Sequence, residues 1–135
     1  MNLHRITFRG AGRWGLVALF AAALVGCGGA HKPPAKSDAE AAVKAVKDCL
    51  EAWKAGEKPD ALAKRKPLIR VADEDWLQGV PLDSYEMVGA VQELGLQIRC
   101  TVLLHLKTAE GEVVERQVRY DIGTNPEISV VREDG

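Results

Sequence analysis

The sequence predicts an α+β domain, an N-terminal helix packed on a four-stranded antiparallel meander, and three observations carry that expectation. Ala39, Val43, Val46, Leu50 and Trp53 recur at steps of three and four, the spacing of one helical face. From Leu96 to Leu106 the period changes to two, with Leu96, Ile98, Cys100, Val102, Leu104 and Leu106 alternating with Gln97, Arg99, Thr101, Leu103, His105 and Lys107. The same period returns at Val114, Val118, Tyr120 and Ile122, and again at Ile128 and Val130.

Before the helix stands a segment with the character of an export signal. Arg5, Arg9 and Arg13 lie there with no acidic residue before Asp38, and residues 14–26 are uncharged and rich in Leu, Val, Ala and Phe. That apolar run is about a dozen residues, short of the roughly 20 that a membrane-spanning helix requires. It ends in Leu24-Val25-Gly26-Cys27, which resembles the lipobox of bacterial lipoproteins: an aliphatic residue, a small or aliphatic one, Gly or Ala, then Cys.

The resemblance implies that residues 1–26 are removed, that Cys27 carries a diacylglyceryl group on its thiol, and that the new N-terminus is held on a membrane. Two or three acyl chains, at about 0.8 kcal/mol per buried CH₂, make such an anchor durable. Gly28 follows the Cys where some bacteria place an Asp as an inner-membrane retention signal, so with two membranes the outer one is favoured.

Residues 27–36 contain Gly, Ala, Pro, Lys and His31, with Pro33-Pro34 central and no large apolar side chain, and read as a tether. Removing residues 1–26 takes three of the 18 basic and none of the 19 acidic residues, which leaves a charge of −4. That balance argues against a nucleic-acid partner, whose phosphates call for clustered Lys and Arg. The triplet Lys64-Arg65-Lys66 is too short to change this and reads as a solvated patch.

The domain proper spans 37–135. Ser37-Asp38-Ala39-Glu40 has the spacing of a capping box, which predicts Ser37 as the N-cap, and Gly56 supplies the stop. Pro59-Asp60-Ala61-Leu62 opens a short second helical turn. The following stretch, with its brief apolar run at 68–71, reads as irregular up to the acidic turn Asp73-Glu74-Asp75. Asp73 there suits a helix cap before Trp76 better than a cation ligand, since the Gly and distal Glu of an EF-hand loop are missing.

Strands are expected over 84–91, through a central hairpin, and over 127–132. Core must face core across that hairpin, so only even-sum pairings satisfy both strands. Thr108 opposite Glu112 leaves Ala109-Glu110-Gly111 as a three-residue loop with Gly at its left-handed position. This register sets Val102 against Val118, Cys100 against Tyr120 and Ile98 against Ile122 inside, with Arg99 facing Asp121 and His105 facing Glu115 outside. Arg116 opposite Leu104 is the misfit, expected to cover the core edge with its stem and reach water with its head. The order of elements resembles the cystatin and NTF2-like superfamilies, in which a helix packs on a curved antiparallel sheet.

Few residues suggest chemistry. Cys49 at the edge of the helical stripe and Cys100 on the inner sheet face are expected to form a disulfide in an oxidising compartment, with two separate buried thiols as the alternative. His105 is the only histidine of the folded part, so neither a multi-histidine metal site nor a catalytic triad is expected, and no cofactor is implied. Gln78-Gly79-Val80-Pro81-Leu82 approaches the cystatin Gln-x-Val-x-Gly string but ends in Leu, so protease inhibition does not carry over. The expectation is a non-catalytic envelope domain that binds another protein or assembles with itself. The alternative is an NTF2-like small-ligand or enzymatic domain with a pocket between Trp53, Trp76 and the sheet.

Overall fold

The computed structural model describes Gly29 and residues 32–134; the expected signal segment and Cys27 lie outside the described residues. Residues 32–134 form one compact unit. Its elements run α1 (Ala39–Lys54), α2 (Pro59–Leu62), β1 (Ile69–Ala72), α3 (Glu74–Leu77), β2 (Leu82–Leu94), β3 (Gln97–Lys107), β4 (Val113–Gly123) and β5 (Ile128–Glu133). No helix among the described residues is long and apolar enough to cross a membrane.

The class is α+β, as the periodicities require, but the sheet is not a four-stranded antiparallel meander. It has five strands in the order β1-β5-β4-β3-β2, and β1 pairs parallel with β5. That edge strand comes from the stretch read as irregular: with four residues, Ile69-Arg70-Val71-Ala72, it is too short for a period to show. The parallel strand also departs from the helix-plus-meander order on which the cystatin and NTF2-like resemblance rests.

The central hairpin adopts the register expected from face matching. Val102 pairs with Val118, Cys100 with Tyr120, Ile98 with Ile122, Arg99 with Asp121, His105 with Glu115 and Leu104 with Arg116. The Thr108 N–H donates to the Glu112 carbonyl at 2.8 Å, and Gly111 takes φ 85°, a value that a side chain would strain.

Across the sheet these registers assemble rows. Ile98, Ile122, Val130 and Val71 follow one another over four strands, and all lie on the face that α1 covers with Val46, Cys49, Leu50 and Trp53.

Helix α1 begins one residue later than the capping-box spacing suggested. Asp38 is the N-cap and its carboxylate accepts from the Ala41 N–H at 2.7 Å. Ser37 serves a different purpose, accepting from the Thr124 N–H at 3.0 Å and so tying the helix entrance to the β4–β5 loop.

The helix ends in a Schellman motif: the Gly56 N–H donates to Trp53 O and the Glu57 N–H to Ala52 O. The short helix α3 closes in the same way, through Gly79 to Trp76 O and Val80 to Asp75 O. The two ends are then locked reciprocally. Trp53 Nε1 donates to the Val80 carbonyl at 2.7 Å, Trp76 Nε1 donates to the Glu57 carbonyl at 2.8 Å, and the rings stack at 5.4 Å, 8° from parallel.

The expected disulfide is not formed. Cys49 and Cys100 are free thiols, both buried. Burial, reinforced by the charge of Asp48, pushes the Cys49 thiol up to about 12, and burial raises Cys100 as well. Both behave as small apolar core residues.

Candidate functional site

The inner face carries a row that is polar. Cys100 pairs with Tyr120 and Tyr120 with Arg132, and continuing the parallel register of β1 and β5 by one residue places Asp73 beside Arg132. β1 has ended there, and Asp73 has turned out of the sheet to cap α3.

Its carboxylate is nearly inaccessible and fully engaged. Oδ1 accepts from the Trp76 N–H at 3.1 Å and from Arg132 Nη1 at 3.4 Å, and Oδ2 accepts from the Tyr120 hydroxyl at 2.6 Å. Arg132, with 6 % of its side chain exposed, also donates to Asp75 and Asp134. Arg116 donates to Asp75 at 2.7 Å, so the misfit of the hairpin is paired with a carboxylate instead of simply facing water.

Burial works against the charge on Asp75, yet Arg132 and Arg116 outweigh it and hold the carboxyl below its ordinary value. Burial, together with the neighbouring Asp73 charge, drives the Tyr120 phenol up, so it remains a donor. Burial opposes the charge on Arg132 too, but Asp75 and Asp73 more than compensate, and it stays charged. Among the described residues no buried polar side-chain atom lacks a partner. A network of this kind holds α3 on the sheet; its members are committed to one another and leave no free base or nucleophile.

The pH dependence follows from Asp75. Its folded pKa is depressed, so its contribution is fully present above the unfolded value of about 4 and is lost as pH falls through the lower folded value. Asp75→Asn is expected to lower the melting temperature at pH 7 and to flatten its decline below pH ~4. A melting series with an unchanged acid slope would refute this assignment.

Beside the network the sheet has an open edge. Among the described residues β5 pairs with β4 at residues 119–123, and β4 has no strand beside it on that side through residues 113–118. Thr108 and Glu112 are a hydrogen-bonded pair, and hydrogen-bonded and non-bonded pairs alternate along an antiparallel ladder. The N–H and C=O groups of Val113, Glu115 and Gln117 therefore point away from β3 into the unfilled position. Where β5 leaves, a recess of about 370 Å³ is lined by Arg116, Gln117, Val118 and Arg132. Val113 and Val114 are exposed at its far end.

The residues singled out from the sequence distribute as follows. His105 lies on the outer face between Glu86 at 3.6 Å and Glu115 at 3.7 Å, the cross-strand arrangement expected, with one more carboxylate. Arg99 and Asp121 form a two-pronged pair at 2.6 and 2.7 Å. Arg65 pairs with Glu57, so the basic triplet is partly neutralised. Trp53 and Trp76 spend their faces on each other, and the space beside them is a recess of about 260 Å³.

Among the described residues no group of three or more His, Cys, Asp or Glu is placed to hold a metal ion. The Asp73–Arg132 pairing was missed because the partners are 59 residues apart. One signal was available: the period of Ile128, Val130 and Arg132 points a charge inward, and an inward charge needs a partner.

Comparison with protein-family models, with curated proteins and with solved structures finds no match.

Proposed function

We propose that the chain is a bacterial lipoprotein, held on a membrane by lipid on Cys27 and most naturally on the outer one where two exist, and that its domain is a non-catalytic module binding a strand of another envelope protein. The observation that carries the binding role is the unpaired edge of β4 at residues 113–118, where three residues offer both backbone groups to an added strand. Two-fold self-pairing centred on residue 115 or 116 would set Glu115 or Arg116 against itself, and like charges directly opposite are destabilising. A register centred on residue 114 sets Val114 against Val114 and Glu112 against Arg116, so a second copy of the chain is the competing occupant of this edge.

The anchor is tested by labelling with radioactive fatty acid: the wild type should take the label and Cys27→Ser should lose it. The binding role is tested by a photo-crosslinking amino acid at position 117, which should trap one protein of defined mass in living cells. Glu115→Pro should abolish that adduct while leaving the melting temperature nearly unchanged, because its lost N–H points out of the sheet. An adduct that persists in Glu115→Pro would exclude strand addition.

A further inference from the structure

The end of the domain where the chain enters carries an apolar surface, and the entry segment is fastened to it. The Ser37 N–H donates to the Leu96 carbonyl at 3.0 Å, at the tight turn joining β2 and β3. The Lys36 carbonyl accepts from Asn125 Nδ2 at 3.0 Å, and the Asp38 N–H donates to Thr124 Oγ1 at 3.0 Å. Residues 36–38 are thus held between the β2–β3 turn and the β4–β5 loop.

Here the alternation of buried and exposed residues stops. β2 is exposed on both faces from residue 88 onward, and Leu94 and Leu96 stand 45 % and 46 % exposed on either side of Gly95. Val91, farther along β2, lines a separate groove of about 550 Å³ with Ala39, Val43 and the charged Glu40, Lys44, Lys47 and Asp48 of α1. Both leucines line a recess with Pro34, Ala35 and Ser37 of the entering chain and lie outside the buried core.

We infer that the β2–β3 turn is a bilayer contact: Leu94 and Leu96 seat in the headgroup and acyl boundary of the membrane that holds the lipid on Cys27. The inference rests on the lipid-anchor reading above and adds to it how the domain stands on the membrane. From Cys27 to Lys36 the chain spans at most about 30 Å fully extended, so the turn is always within reach of the surface. An apolar element lying in the interface sinks about 5–10 Å, a depth that a two-leucine turn can enter without burying the sheet. Lys36, beside the turn, pairs with Glu93 at 4.0 Å with both side chains exposed, so this rim is close to neutral and the contact rests on the leucines. The open edge of β4 begins at the β3–β4 turn, at the opposite end of the same hairpin, and this standing pose leaves it facing away from the membrane.

The test uses the lipidated mature protein, residues 27–135, purified with its lipid and reconstituted in phosphatidylethanolamine–phosphatidylglycerol vesicles containing acyl-brominated lipid. Leu96→Trp and Val113→Trp report from the two ends, against the constant background of buried Trp53 and Trp76. The expected result is an emission component in Leu96→Trp that is blue-shifted and quenched by the brominated chains, and none in Val113→Trp. Vesicle flotation is read on the same samples.

Protein that floats while Leu96→Trp is as unquenched as Val113→Trp would overturn the contact and leave the anchor standing. Shielding of Leu96→Trp that appears only in native envelope membranes, not in pure lipid, would assign the turn to a protein partner and overturn it equally. Protein that fails to float would overturn the anchor itself, and the standing pose with it.

Discussion

Asp73→Ala is expected to destabilise the domain by about 3–5 kcal/mol, because buried donors are left without an acceptor at about 1–3 kcal/mol each while Arg132 keeps Asp75 and Asp134. Three groups lose their acceptor at once: the Trp76 N–H at the start of α3, the Tyr120 hydroxyl, and one contact of Arg132, whose side chain is 6 % exposed. For a domain of this size each kcal/mol moves the midpoint by about 4–8 °C, so the shift should exceed ~10 °C. Tyr120→Phe alone removes a hydrogen bond to a carboxylate and should cost about 1.5–3 kcal/mol. The double variant should cost less than the sum of the two, because each single change already breaks the same bond. Strict additivity in thermal or urea unfolding would show that the Tyr120–Asp73 bond contributes nothing.

Trp53→Ala should be comparably severe, at about 3–5 kcal/mol, since it empties a large buried site. Trp53 is 3 % exposed, stacks on Trp76 and donates to the Val80 carbonyl, so the substitution also unties the end of α1 from the end of α3. The emission of the remaining Trp76 should shift to the red as water reaches its exposed face. Trp53→Phe keeps much of the volume and loses the indole N–H, and its cost should fall to about 1–2 kcal/mol. Equal losses for Ala and Phe would locate the stabilisation in the Val80 hydrogen bond instead of in packing.

The two substitutions probe different orders of information. Trp53 belongs to a stripe that helical spacing identifies, so its burial was legible; its stacking partner was not, because Trp76 arrives from a helix of only four residues. Asp73 was legible as a cap, since capping is a matter of three residues in sequence. That the same carboxylate would also receive Tyr120 and Arg132 was not, because that contact requires β1 to lie beside β5, and a four-residue strand announces neither itself nor its neighbour.

The open edge of β4 was hidden for a related reason. The alternation in residues 113–123 is interrupted at Arg116 alone, which reads as a misfit within one strand, and the length of β5 decides where pairing stops.

By itself the sequence determined what depends on local spacing: one amphipathic helix, the period-two strands, the turn at Gly111, and the whole register of the β3–β4 hairpin, because a one-residue slip would have sent every core side chain to solvent. Tertiary structure alone decided the parallel edge strand, the separation of Cys49 and Cys100 as two free thiols, the burial of Asp73 with Arg132, and the end of the domain at which Leu94 and Leu96 meet the entering chain. These are contacts between residues tens of positions apart. Periodicity says which face of an element is buried, but it does not say which other element buries it.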